Sequence, residues 1–318
     1  MHAFLFLAVL AHAQLVIPTS AQPTSIFLLA GQSNMSGRGG VNANNTWDGF
    51  VPSECKPNPN VLRLTSTLTW VPAAEPLHKD IDVYATVGVG PGMSFANSVL
   101  ARAPSLGVVG LVPCAIGGTT IGQWSKGSDL YSQLVRRARA AVQGGGEIKA
   151  MLWYQGESDT GTLEEAESYK GRLEMFFMDV RSDLGSPKLR IIQVALASGG
   201  PGVEKVRDAQ LGTNLTNVEC VDAKGLQLES DYVHLTTQAE GTEEVSEQGG
   251  VETKVETVDY RKSAGHDEEP PTKENVEVIH TDEAQDPGPG ALAKAGDAVK
   301  EKFQSAKEAA ANIGKKEK

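Results

Sequence analysis

The sequence predicts an α/β fold built on a five-stranded parallel sheet with helices on both faces. Between residues 25 and about 235, short β-rich apolar runs alternate with stretches of helical periodicity. Strand, helix and strand in repetition implies right-handed crossovers and a parallel sheet. The first apolar run, Ser25–Ala30, is continuous rather than alternating, as a strand buried on both faces is. Charge bounds the domain. Of the 318 residues, with a formal net charge of -11, the stretch from Gly241 to Lys318 holds 18 acidic against 11 basic residues, a net of -7, which leaves -4 for residues 1–240. All four Trp and all three Cys precede position 241, and the tail has two aromatics, Tyr260 and Phe303. A stretch that polar cannot bury enough apolar surface to offset its ordering entropy. The expected organisation is therefore one globular domain over 22–240 and a mostly disordered acidic tail over 241–318, with helix-forming composition at 291–313.

The elements follow in order. Ser25–Ala30 (SIFLLA) is the first strand, Gly107–Cys114 the second, Ile148–Tyr154 the third, Leu189–Leu196 the fourth and Val218–Val221 a short fifth. Helices are expected over Gly92–Ala101, Asp129–Val142, Thr162–Leu184 and Pro201–Gly212. In the second of these Leu130, Leu134, Ala138 and Ala141 share one face, with Arg136, Arg137 and Arg139 directed mostly outward. The Gly39–Gly90 stretch breaks the rhythm. With Pro52, Pro57, Pro59, Pro72 and Pro76 it reads as a loop-rich insertion over the carboxyl edge of the sheet, where open parallel sheets bind ligands.

Residues 1–21 read as a secretory signal peptide. An apolar run over Ala3–Ala11, too short to span a bilayer, precedes small-x-small cleavage sites at Ala11-His12-Ala13 and Thr19-Ser20-Ala21. The run has no preceding Lys or Arg, so the alternative is an apolar leader on a cytoplasmic protein. Two Asn-x-Thr sequons, at Asn44 and Asn214, agree with secretion.

Several function classes are excluded. The acidic balance provides no basic stripe for nucleic acid or an anionic membrane, and no stretch after residue 21 is long and apolar enough to span a membrane. Three cysteines do not make a disulfide scaffold, although Cys55 and Cys220 are a candidate pair in a secreted protein. No Cys-x-x-Cys or His-x-x-x-His spacing calls for a metal. Gly88-Val89-Gly90-Pro91-Gly92 lacks the dinucleotide spacing, and Gly144-Gly145-Gly146 lacks a following Gly-Lys-Ser/Thr, so no cofactor is expected. Cys114, at a strand end, reads as a small buried hydrophobe rather than a thiol nucleophile.

Chemistry concentrates at the strand ends. The first strand runs into Gly31-Gln32-Ser33-Asn34-Met35-Ser36-Gly37, a small-residue turn that sets Ser33 at the carboxyl edge as a candidate nucleophile. Asp231-Tyr232-Val233-His234 places a carboxylate and an imidazole three residues apart, so that Asp231 can orient His234 while the other ring nitrogen faces the serine. Gly117 and Gly118 allow backbone N–H groups to approach a substrate oxygen, and Gln155, at the end of the third strand, can aim its amide at a developing oxyanion. Singly, each also reads as an ordinary turn or surface residue; their convergence on one sheet edge is what selects the enzymatic reading.

These motifs also carry a resemblance. GQSNM, GVGPGMSFA (Gly88–Ala96), IGGTTIGQW (Ile116–Trp124), WYQGESD and DYVHLT occur in the order and over the span, roughly 24–240, that resembles the SGNH/GDSL hydrolase superfamily. More closely, they resemble the sialate O-acetylesterase-type domain of plant probable carbohydrate esterases. The resemblance implies a flavodoxin-like three-layer α/β/α fold with strand order 2-1-3-4-5. It implies Ser33 as nucleophile, His234 as general base and Asp231 as its orienter, with Glu157 the runner-up acid. The oxyanion hole would comprise the Ser33 N–H, Gly117 or Gly118, and Gln155. The implied activity is removal of O-acetyl groups from carbohydrate by a serine esterase; with the leader reading the protein is expected to be secreted, and it is expected to be a monomer. The resemblance also implies a final apolar helix after the histidine motif, where this chain turns into Glu240-Gly241-Thr242-Glu243-Glu244. That departure raises a second reading, a catalytically impaired hydrolase-fold carbohydrate-binding protein or an unstable fusion product lacking the closing helix.

Overall fold

The computed structural model describes residues 22–241, together with the backbone of two short paired strands at Glu244–Val245 and Val251–Glu252. The expected leader at 1–21 and nearly all of the tail, including 291–313, lie outside the described residues.

A seven-stranded sheet organises the chain. Its strands are β1 (Ser25–Gly31), β2 (Val61–Leu64), β3 (Trp70–Pro72), β4 (Val109–Pro113), β5 (Glu147–Tyr154), β6 (Arg190–Ala195) and β7 (Val218–Asp222), in the spatial order β3-β2-β4-β1-β5-β6-β7. All pairings are parallel except β2 with β3. The five strands expected from sequence occupy β4-β1-β5-β6-β7, the implied 2-1-3-4-5 order. The expectation of a five-stranded, wholly parallel sheet is corrected: the sheet is mixed and has seven strands.

The two added strands come from the segment read as loop. Val61–Leu64 is only four residues long, hemmed by prolines and interrupted by Arg63, so no periodicity announces it. Its strand character comes from pairing with β4, register Val61↔Val109, which takes it to full burial. Arg63 is tolerated there because its guanidinium donates to the Leu77 carbonyl (3.0 Å) and pairs with Asp80 (2.5 Å).

The central strand β1 is buried at all seven positions, which requires cover on both faces. On one face, helix α2 (Pro91–Arg102), started by Pro at its first position, packs Phe95 edge-on against Phe27 at 5.0 Å. The opposite face carries Ala30, in register with Trp153 of β5. Trp153 lies 4.5 Å from Phe176 and 5.2 Å from Trp124, an aromatic cluster that roots α3 (Asp129–Ala141) and α4 (Leu163–Asp183). Ser128 caps α3 by accepting from Tyr131 N–H, and Thr162 caps α4 by accepting from Glu165 N–H. Helix α5 (Val203–Leu211) packs beside α4, and a short α6 (Thr237–Gly241) packs on α2.

Arg137 corrects the amphipathic reading of α3. It is not outward but 1 % exposed, donating to the carbonyls of Pro113 (2.8 Å), Leu64 (2.8 Å) and Thr65 (2.9 Å). The guanidinium fork thereby satisfies carbonyls at the ends of β2 and β4 that no neighbouring strand reaches.

Candidate active site

Ser33 is placed by a turn that only glycine permits. Gly31 leaves β1 at φ +135°, and a β-carbon there would lie 2.0 Å from the Tyr154 carbonyl oxygen. The chain then donates from Gln32 N–H to that carbonyl (2.9 Å) and closes one helical turn, α1 (Ser33–Ser36). Ser33 is 5 % exposed.

His234 reaches the same spot from the other end of the chain. After β7 the backbone forms a small hairpin in which Glu229 N–H donates to the His234 carbonyl (2.7 Å) and Leu228 bridges Leu235. At its tip Tyr232 adopts φ +58°, a left-handed conformation uncommon for a bulky residue. Asp231 Oδ1 folds back to accept from the Val233 (2.9 Å) and His234 (3.0 Å) N–H groups, which leaves Oδ2 against His234 Nδ1 at 2.5 Å. The other ring nitrogen, Nε2, lies 2.9 Å from Ser33 Oγ. Partial burial would push the Asp231 carboxyl up, but the two backbone donors and the imidazole outweigh it and hold the carboxyl below its usual range. Hydroxyl, imidazole and carboxylate thus stand in one chain across 201 residues of sequence, the arrangement by which a base takes a proton from a hydroxyl.

The expected oxyanion donors divide. Gly117 does stand beside Ser33, where a β-carbon on it would lie 3.5 Å from that of Ser33, and Gly118 follows it in the same loop. The Gly117 N–H, however, is donated to Asp82 Oδ2 (3.1 Å). Among the described residues, the N–H groups of Ser33 and of Gly118 (φ +71°, exposed) have no internal acceptor. Gln155 requires a correction. It is fully buried, and its amide nitrogen faces the Thr119 carbonyl (2.8 Å), Asp159 Oδ2 (2.6 Å) and Gln32 Oε1 (3.2 Å). With two amide hydrogens and three internal acceptors, that group has none left for a substrate oxygen.

Glu157 is likewise not the partner of the imidazole. Its Oε1 accepts from Asn34 Nδ2 at 2.7 Å, and burial pushes its carboxyl up to about 7. Cys55, Cys114 and Cys220 are free thiols, so the candidate Cys55–Cys220 disulfide does not form. Burial raises the Cys114 thiol, as suits a packed hydrophobe at 2 % exposure.

Sequence reasoning missed the buried pair Arg38–Asp82 (2.7 Å), in which Asp82 also accepts from Ser36 Oγ (2.8 Å) and Gly117 N–H. The available signal was Arg38 between two glycines immediately after the serine turn, a charge with no reason to sit there unless paired. Among the described residues, no group of three or more His, Cys, Asp or Glu could hold a metal ion, and no helix is long and apolar enough to cross a membrane.

Residues 23–243 match the family described as SASA, carbohydrate esterase, sialic acid-specific acetylesterase. A probable carbohydrate esterase of Arabidopsis thaliana is 54% identical over 230 residues, covering 70% of this chain and 88% of the relative. The 1.6 Å X-ray structure of that Arabidopsis protein aligns with TM-score 0.67 and 53% identity over 69% of this chain and 93% of its own. A carbohydrate acetylesterase from Xanthomonas citri shares the fold at TM-score 0.50 and 18% identity, over 68% of this chain and 54% of that one.

Proposed function

The chain belongs to the SASA family of carbohydrate esterases and is an ester-bond hydrolase; from that premise we propose that it removes O-acetyl groups from carbohydrate through Ser33, His234 and Asp231. The observation that carries this reading is the pair of contacts on one imidazole, Nε2 to Ser33 Oγ at 2.9 Å and Nδ1 to Asp231 Oδ2 at 2.5 Å. Ser33 Oγ attacks the acetyl carbonyl while His234 Nε2 takes its proton. The tetrahedral intermediate collapses as His234 returns that proton to the departing sugar hydroxyl, leaving an acetyl ester on Ser33. Water, deprotonated by the same imidazole, then releases acetate and restores the serine. Asp231 holds the ring with Nε2 toward the serine and stabilises the imidazolium.

The oxyanion that forms in both steps is met by the N–H groups of Ser33 and Gly118, which have no internal acceptor among the described residues. Each such donor contributes about 3 kcal/mol to the transition state. Gly117 assists indirectly, because its bond to Asp82 fixes the loop from which Gly118 projects.

Ser33→Ala tests the reading. It should abolish hydrolysis of a chromogenic acetate ester while preserving the folded-state circular dichroism; turnover surviving in that variant refutes it. Acetylated xylan, acetylated pectin and O-acetylated sialosides, assayed in parallel for released acetate, identify the sugar.

A further inference from the structure

Asn34 follows the proposed nucleophile directly in sequence, is 0 % exposed, and touches the chain on both sides of His234. Its Oδ1 accepts from the Leu235 N–H (3.1 Å), and its Nδ2 donates to the Val233 carbonyl (3.3 Å). The other hydrogen of the same nitrogen goes to Glu157 Oε1 at 2.7 Å. Both amide hydrogens and the oxygen are therefore engaged, two of the three contacts with the immediate neighbours of His234. Ser198 Oγ meets the Val233 carbonyl as well, at 2.7 Å.

We propose that Asn34 is a positioning residue that sets His234 against Ser33, with Glu157 helping to fix the orientation of its amide and Ser198 bracing the same loop from a second element. This rests on the Ser33–His234 reading above. The hairpin that carries His234 is otherwise joined to the serine turn by little more than the Ser33–His234 contact itself. A partly exposed imidazole there would swing with its loop. Asn34 converts that loop into part of the serine turn, because one rigid amide spans the backbone on either side of the histidine. An amide can sit in either of two orientations. The Leu235 N–H and the Val233 carbonyl both oppose the reversed one, and the Glu157 carboxyl adds an acceptor on the side of the amide nitrogen. Burial holds that carboxyl up to about 7, but both of its protonation forms present an acceptor oxygen to Asn34.

The test is steady-state kinetics on a chromogenic acetate ester with Asn34→Ala and Ser198→Ala, each made in the wild-type chain and beside His234→Ala. A loosened base costs the chemical step rather than binding, so Asn34→Ala should lower kcat by about tenfold to a hundredfold with KM nearly unchanged. Ser198→Ala, which removes a single brace, should show a smaller loss in the same direction. Glu157→Ala should lower kcat, and Glu157→Gln, which keeps an acceptor oxygen, should recover most of the loss. Beside His234→Ala, neither Asn34→Ala nor Ser198→Ala should cost anything further, since their effect passes through the imidazole. A kcat in Asn34→Ala within about twofold of wild type overturns the proposal, as does an equal loss with and without His234. Should Asn34→Ala not fold, an unchanged kcat in the folded Ser198→Ala variant overturns it. Those results are distinct from turnover surviving in Ser33→Ala, which removes the esterase site and this proposal with it.

Discussion

Asp82 Oδ2 lies 3.1 Å from the Gly117 nitrogen and 2.7 Å from Arg38 Nη2, so one buried carboxylate joins the loop after β4 to the turn that carries Ser33. The ion pair is almost wholly out of water, and Asp82 also accepts from Ser36 Oγ. Removing one partner strands a charge. Asp82→Ala should destabilise the protein by about 3–5 kcal/mol in a denaturant titration, and in the folded fraction it should lower kcat by freeing the Gly117–Gly118 loop. A stable and fully active Asp82→Ala variant would show that the network has no part in shaping the site.

Gly31 should not accept a side chain. A β-carbon at φ +135° meets the Tyr154 carbonyl oxygen at 2.0 Å, and that oxygen is backbone of the adjacent central strand, which cannot move aside. Gly31→Ala should lose both stability and esterase activity, by more than the roughly 1 kcal/mol that separates glycine from alanine in ordinary conformations. Thermal unfolding followed by near-ultraviolet circular dichroism measures it.

Stability should fall as pH rises from 5 to 8. Glu75 is part-buried, with Oε1 out of water and unpartnered and Oε2 accepting from Leu77 N–H, and the burial of the carboxyl pushes it from 4.5 up to about 8. Glu240, buried in α6, is raised in the same direction, by burial first and then by Glu75 and Glu157. Such a group holds its proton in the folded state after the unfolded chain has released it. Its contribution is complete below 4.5, declines through the window between 4.5 and about 8, and is gone above it. Glu75→Gln keeps an acceptor for Leu77 and removes the titration. Urea midpoints at pH 5 and pH 8 should differ less in the variant than in the wild type, by on the order of a few kcal/mol in the extrapolated free energies. Equal slopes would show that Glu75 is ionised in the folded protein.

Asp231 works in the opposite sense. Its carboxyl is held below the usual 3.8, so its favourable interactions are complete above that value and fade as pH falls through the lower folded value. Asp231→Asn should leave the fold intact, since the residue is half exposed, while lowering kcat by up to about 10⁴-fold through loss of the imidazole's orientation. An Asn variant with near-normal kcat would shift the orienting role elsewhere.

Much of this protein was legible in the chain itself. A continuous apolar run made β1 legible, because a strand buried on both faces leaves no polar positions to interrupt it, and the alternation of short β-rich runs with helical stretches added β4, β5, β6 and the short, partly exposed β7. Ser33, Asp231 and His234 were legible because local chemistry marks them: a glycine-bounded turn at a strand end, and an Asp placed three residues before a His, where its carboxylate folds back onto the same loop. What remained needed the third dimension. β2 is a strand only because β4 offers it an edge, and β3 only because β2 then offers one in turn; four residues flanked by prolines carry no period of their own. Arg137 read as an outward charge and the Arg38–Asp82 pair went unread, since sequence shows a charge but not the carbonyls or carboxylate that satisfy it 24 to 73 positions away. Gln155 carried the right group at the right strand end, yet which acceptors claim an amide is decided by what packs around it. The sequence determined which residues could do the chemistry; packing determined which of their hydrogen bonds remain open to a substrate.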